Sequence, residues 1–131
     1  MWINLALGGF ISPFVSWPIE KLLPYPYLIE EIVKALLLFF FANYKSLKNK
    51  LESALVVGIS FAISESVFYS FNIYSTNNFQ VMGLRLFLTT LLHFATSLLI
   101  ILPVKKNKAW ILAGLSLAIL LHFLYNRSVA A

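Results

Sequence analysis

Residues 24–44 read PYPYLIEEIVKALLLFFFANY. The stretch from Ala35 to Ala42 holds no polar side chain, yet Glu30, Glu31 and Lys34 precede it within little more than one helical turn. A membrane-spanning helix needs about 20 mostly apolar residues, and this segment has that length. Charged groups inside a bilayer cost a few kcal/mol each on insertion scales and persist mainly where they pair or line a polar cavity. The segment therefore reads as a spanning helix with a reason to keep its charges.

The same character extends along the chain. Of 131 residues, 60% are hydrophobic, 16% aromatic and only 11% charged, whereas a soluble domain carries roughly a quarter charged residues. That composition excludes a disordered chain, an ordinary soluble domain and a nucleic-acid binder. Cysteine is absent, which removes disulfides, thiolate nucleophiles and Cys-based zinc sites. The expected fold is an all-α polytopic transmembrane helix bundle of about five spans, forming one domain over residues 1–131. The spans are Met1 to Trp17 (irregular, with Gly8, Gly9 and Pro13), Pro24 or Tyr25 to Tyr44, Leu51 to Phe71, Val81 to Leu102, and about Ala109 to Tyr125. Segment length and the lack of sustained period-two alternation favour helices over a barrel.

Connector charges set the orientation. Lys45, Lys48, Lys50, Lys105, Lys106 and Lys108 fall on one side of a five-span chain, with Lys21 and Arg127 on the other. The positive-inside rule then places the N-terminus inside and the C-terminus outside. It also accounts for the net charge of +5 without invoking nucleic acid.

Spacing groups the polar residues. Residues four apart share a helix face, so Arg85, Thr89, His93 and Ser97 form a polar stripe on the fourth span. The fifth carries Gly114, Ala118, His122 and Asn126 at the same step. On the third, Ala54, Gly58 and Ala62 make a small-residue stripe suited to close helix packing, beside Phe61, Glu65 and Tyr69. At about 1.5 Å per residue, Glu30 and Glu31 lie about 10 Å, and Glu65 about 9 Å, from the outer ends of their spans. Arg85, His122 and Asn126 are also in the outer half, and His93 lies deepest. Helices of alternating direction thus place their costly residues in one leaflet, as a site requires.

The order of these motifs resembles a known family. Glu-Glu-x-x-Lys (Glu30, Glu31, Lys34) is followed by Phe-x-x-x-Glu (Phe61, Glu65), then Arg85 and His93, and finally His-x-x-x-Asn (His122, Asn126). This succession is similar to the PrsW family of intramembrane proteases, within the broader CAAX-protease and bacteriocin-processing superfamily. The resemblance implies an endopeptidase that cuts single-span, anti-sigma-factor-like proteins on the extracytoplasmic side of a prokaryotic cytoplasmic membrane. Its partners are then such a substrate and membrane lipid. The family often has Glu-Asn where this chain has Glu65-Ser66.

Peptide hydrolysis needs an activated water, an oxyanion stabiliser and a proton for the leaving amine. Glu30 or Glu31 is the expected base, with Lys34 keeping one of them ionised. His93 polarises the water, His122 and Asn126 act as oxyanion donors, and Glu65 orients a histidine. Arg85 and Tyr69 are supporting residues. The surplus of carboxylates over histidines favours catalysis without a cofactor. The alternative is zinc held by His93, His122 and Glu65, an open site of the catalytic kind. Two other classes compete: a non-catalytic scaffold of the same superfamily, and a proton-coupled carrier, which the apolar inner halves of spans two and three oppose.

The missing cysteines make the orientation directly testable. A single cysteine introduced as Leu22→Cys is expected to react with a membrane-impermeant thiol reagent in intact cells. Asn49→Cys reacts only after permeabilisation.

Overall fold

The computed structural model describes residues 2–74, 79–104 and 107–129, and the side chains of these except 69, 71–74, 79, 81 and 129. Five helices follow in order: α1 (Trp2–Glu20), α2 (Pro26–Phe41), α3 (Leu47–Tyr74), α4 (Phe79–Ile101) and α5 (Ile111–Val129). A 3₁₀ turn at Lys108–Trp110 leads into α5. Among the described residues there is no strand. Four helices, α1, α3, α4 and α5, are long and apolar enough to cross a membrane, so the chain is a polytopic helical membrane bundle.

Local chemistry sets the helix ends. Pro26 begins α2, where its missing N–H would have had no intrahelical acceptor. Ser46 Oγ accepts the Asn49 N–H at 3.1 Å as α3 starts, and Asn107 Oδ1 accepts the Ala109 N–H at 2.8 Å before α5. Both are N-terminal capping bonds.

The second helix stops sooner than hydropathy implies. Ala42 turns extended, with φ −76° and ψ 152°, and the Tyr44 hydroxyl donates back to the Leu38 carbonyl. The 16 residues of α2 span about 24 Å, making it the shortest of the five helices. In contrast, α1, irregular by sequence, continues through Pro13 and Pro18 to Glu20.

The second helix touches all four of the others. Its neighbours can close around it because glycines remove side chains at two crossings. A Cβ on Gly58 of α3 would sit 2.6 Å from the Phe94 backbone of α4. One on Gly114 of α5 would collide with Leu99 O and the Ile100 backbone of α4. Around these crossings, Leu38, Ala54, Val57, Phe61, Ile100 and Ala118 form the buried apolar core. Large apolar residues such as Phe40, Phe87 and Leu112 face outward, as lipid contact requires.

At the lysine-rich end, two side chains finish neighbouring helices. The Lys50 ammonium donates to the carbonyls of Leu102 and Val104 beyond α4. Lys108 donates to Phe39 O near the end of α2 at 2.9 Å. Terminal helix carbonyls lack intrahelical partners, so these lysines stabilise the bundle as well as biasing its orientation. Lys105 and Lys106 lie outside the described residues.

The glycine crossings predict a graded effect on stability. Gly114→Val should cost about 1–3 kcal/mol through overpacking, read as a melting point several degrees lower in detergent. Gly83→Ala, where an added Cβ meets nothing within 4 Å, should leave the melting point unchanged or slightly raise it.

Candidate active site

Lys34 stands on the helix that every other helix touches, and nothing there offers it water. Its ammonium donates to Glu31 Oε1 at 2.5 Å, Thr96 Oγ1 at 2.8 Å and His93 Nδ1 at 3.0 Å. An ammonium has three donors and no acceptor, so this environment saturates it. The Phe61 ring lies beside it at 5.4 Å. The Lys34 and Glu31 side chains are both 0% exposed.

These bonds fix the histidine tautomers by exclusion. Because Lys34 donates into His93 Nδ1, the His93 proton sits on Nε2 and is donated to Glu65 Oε2 at 2.6 Å. His122 donates its Nδ1 proton to Glu31 Oε1 at 2.6 Å. Its Nε2 lone pair then faces Glu30 Oε2 at 3.7 Å, beyond hydrogen-bonding range. The two imidazoles are 5.6 Å apart between centroids and inclined at 78°.

Six of the residues singled out from sequence therefore meet: Glu30, Glu31, Lys34, Glu65, His93 and His122. Arg85 is half-buried on α4, and its charge acts on Glu65. Asn126 is half-buried but makes no hydrogen bond among the described residues. The Tyr69 side chain lies outside them. Ser66, at the position of the missing amide, turns its hydroxyl to Ala62 O at 2.7 Å and takes no part.

Sequence spacing missed one contributor. Thr96 lies three residues after His93, off the four-step stripe, yet it binds Lys34. The first helix also runs past the Trp17 end expected from sequence. With Pro18 accommodated within α1, Glu20 forms the last turn and accepts a hydrogen bond from Ser16 at 2.5 Å.

The donor set suits a metal. One donor atom each from Glu30, His93 and His122 lie within 4.8 Å of one another, against about 3.3 Å between donors in tetrahedral zinc geometry with bonds near 2 Å. Closing that difference takes side-chain rotations, and His93 would have to give up the Nε2 proton that it donates to Glu65 to offer a lone pair. Glu30 Oε2 is buried and has no hydrogen-bond partner, a costly condition for a carboxylate oxygen. His122, backed by the Glu31 carboxylate, has the orientation seen in carboxylate–histidine–metal arrangements.

Residues 26–131 match the family model described as PrsW family intramembrane metalloprotease. The chain belongs to that family. No curated protein and no solved structure matches it significantly.

The family and the geometry together overturn the expectation of no cofactor. The family is described as a metalloprotease, and the structure gathers a possible metal-binding set. Counting carboxylates against histidines failed because it ignored what the carboxylates touch. Glu31 Oε1 takes both the Lys34 ammonium and the His122 Nδ1 proton, and Glu30 is the carboxylate that shares a donor set with both histidines. The set also differs from the zinc alternative drawn from sequence, with Glu30 in place of Glu65.

Removing one member of a buried ion pair typically costs about 3–5 kcal/mol. Lys34→Met should therefore sharply lower the unfolding midpoint in detergent. Adding Glu31→Gln, which removes the stranded charge, should recover part of the loss. Simple additivity of the two substitutions would contradict the pairing.

Proposed function

We propose that this PrsW-family chain hydrolyses a peptide bond in a single-span membrane protein, at a zinc-type centre held by Glu30, His93 and His122. The observation carrying this reading is the buried, unpartnered Glu30 Oε2 facing the lone pair of His122 Nε2. Two imidazoles and a carboxylate, with a position left open, form a donor set common in hydrolytic zinc enzymes. When bound, such an ion supplies Lewis-acid polarisation of a carbonyl and acidifies water.

The remaining residues divide the work around it. Glu31 is a positioning residue: fully buried, it holds His122 in one tautomer while Lys34 balances its charge. Lys34 and Thr96 together hold the α2 and α4 faces of the site. Glu65 is the most exposed carboxylate of the group, with 22% of its side chain accessible against 14% for Glu30 and none for Glu31. That accessibility suits Glu65 to take a proton from the attacking water and return it to the leaving amine. Arg85 puts a positive charge on the Glu65 side of the site, and Asn126, one turn beyond His122 on α5, serves as the oxyanion donor.

Lysine placement supports a site facing the extracytoplasmic leaflet of a prokaryotic cytoplasmic membrane. The paired end of α2 lies opposite the Lys50 and Lys108 end of the bundle. A substrate of the anti-sigma-factor type, anchored by one helix and cut near its outer end, fits that placement.

The test uses full-length protein in proteoliposomes with a single-span model substrate. Chelation should abolish cleavage and zinc should restore it. Glu30→Gln and His122→Ala should lose both zinc and cleavage. Glu65→Gln should keep zinc but lose at least about a hundredfold in kcat, the scale of general acid–base catalysis. Cleavage unaffected by chelation, or full activity in Glu30→Gln, would overturn the reading.

A further inference from the structure

A wall of aromatic rings runs from the site to the surface at the start of α2. Tyr27 lies three residues before Glu30 and four before Glu31, so it stands one turn away from them on the same side of the helix. Its ring packs against the His122 ring, with centroids 6.0 Å apart and planes inclined at 43°. The same ring meets Phe123 of α5 at 5.9 Å and Tyr25 at 6.0 Å. The wall therefore joins the first turn of α2 to the later turns of α5.

Exposure rises along it. His122 is 4% exposed, Tyr27 is half-buried, Phe123 is 36% exposed and Tyr25 is 55% exposed. Tyrosines at a membrane interface ordinarily sit at headgroup level, but Tyr27 lays its ring on a side chain of the site. Proline stiffens this part of the chain: Pro24 and Pro26 bracket Tyr25, and Pro26 opens the helix with its φ fixed by the pyrrolidine ring.

The wall carries no charge. Residues 22–29 and 123–126 hold no Asp, Glu, Lys, Arg or His. Lys21, the last cation before them, sits over the Trp17 ring of α1 at 3.6 Å. A peptide bond presented to Glu30, His93 and His122 brings its neighbouring side chains against whatever flanks that set, and beside His122 this is Tyr27. A partly open, uncharged aromatic surface is stabilised when an apolar side chain covers it.

We propose that Tyr27, with Tyr25 and Phe123, forms the subsite that receives the side chain beside the scissile bond and selects a large apolar or aromatic residue there. This rests on the hydrolase reading above and adds the class of bond cut.

The experiment uses the full-length, zinc-loaded chain in proteoliposomes with a single-span substrate. Mass spectrometry locates the bond cut by the wild type, and the residues flanking it are then varied among Phe, Ala, Asp and Lys. The quantity read is the ratio of kcat/KM for Phe and Ala substrates within one enzyme, which a partly folded or partly loaded preparation leaves unaltered. At one flanking position the wild type should prefer Phe over Ala by about tenfold or more, with Asp the poorest substrate. Tyr27→Ala should bring the ratio close to one, and Phe123→Ala should lower it in part. Tyr27→Phe should keep the ratio, because the ring makes the contact. Trp110→Ala, an exposed aromatic at the lysine-rich end, should keep both ratio and rate. Where Tyr27→Ala does not fold, the Phe123→Ala ratio decides. A wild-type ratio near one would overturn this inference alone, as would a ratio unchanged in these alanine variants. So would a preference for Lys, which an aromatic face can hold as a cation. A wild-type chain that cleaves none of the substrates would overturn the hydrolase reading and this inference together.

Discussion

The buried Lys34 ammonium organises everything around it. An ammonium removed from water is tolerable only when each of its protons finds an acceptor and its charge a counter-charge. Here the acceptors come from two helices: Glu31 on the same helix, and His93 and Thr96 on α4. That requirement holds α2 against α4. By choosing His93 Nδ1 as an acceptor, it also points the other face of that imidazole at Glu65. The Glu31 oxygen that receives Lys34 receives His122 too, so a single carboxylate links α2 to α5. The stabilising pair and the functional geometry are therefore the same set of bonds.

This arrangement gives α2 an unusual place in a membrane protein. It is the shortest of the five helices and carries three charges, yet it is the helix on which the other four converge. Those four can supply the apolar exterior because their glycines allow close crossings at Phe94 and Ile100. Polar chemistry in the middle and lipid-compatible surfaces outside are thus divided among different helices. Dividing the labour this way avoids asking one helix to satisfy both solvents.

Much of this was readable from residue order. The apolar runs identify the helices, and the shared depth of Glu30, Glu31, Glu65 and His122 anticipates their meeting, since side chains too short to reach water must find each other. What spacing does not encode is which atoms remain unused. Glu30 and Glu31 are adjacent and chemically identical, and each keeps one buried oxygen without a partner; only the packing makes Glu31 the locked partner of Lys34 and His122 and sets Glu30 within reach of both imidazoles. That distinction separates a metal-free site from a metal-binding one. Likewise, α2's early end depends on Ala42 turning extended, a backbone choice that a hydropathy pattern ending at Tyr44 does not register. Thr96 escaped because it sits three residues rather than four from His93, and the true end of α1 escaped because the helix absorbs Pro18.

Zinc K-edge X-ray absorption on the purified, metal-loaded chain addresses the central claim most directly, because it counts the ligands. The account predicts imidazole scattering from two histidines together with oxygen donors, all at about 2.0–2.2 Å, with one imidazole lost in His93→Ala. A spectrum lacking imidazole contributions, or one unchanged by that substitution, would contradict it.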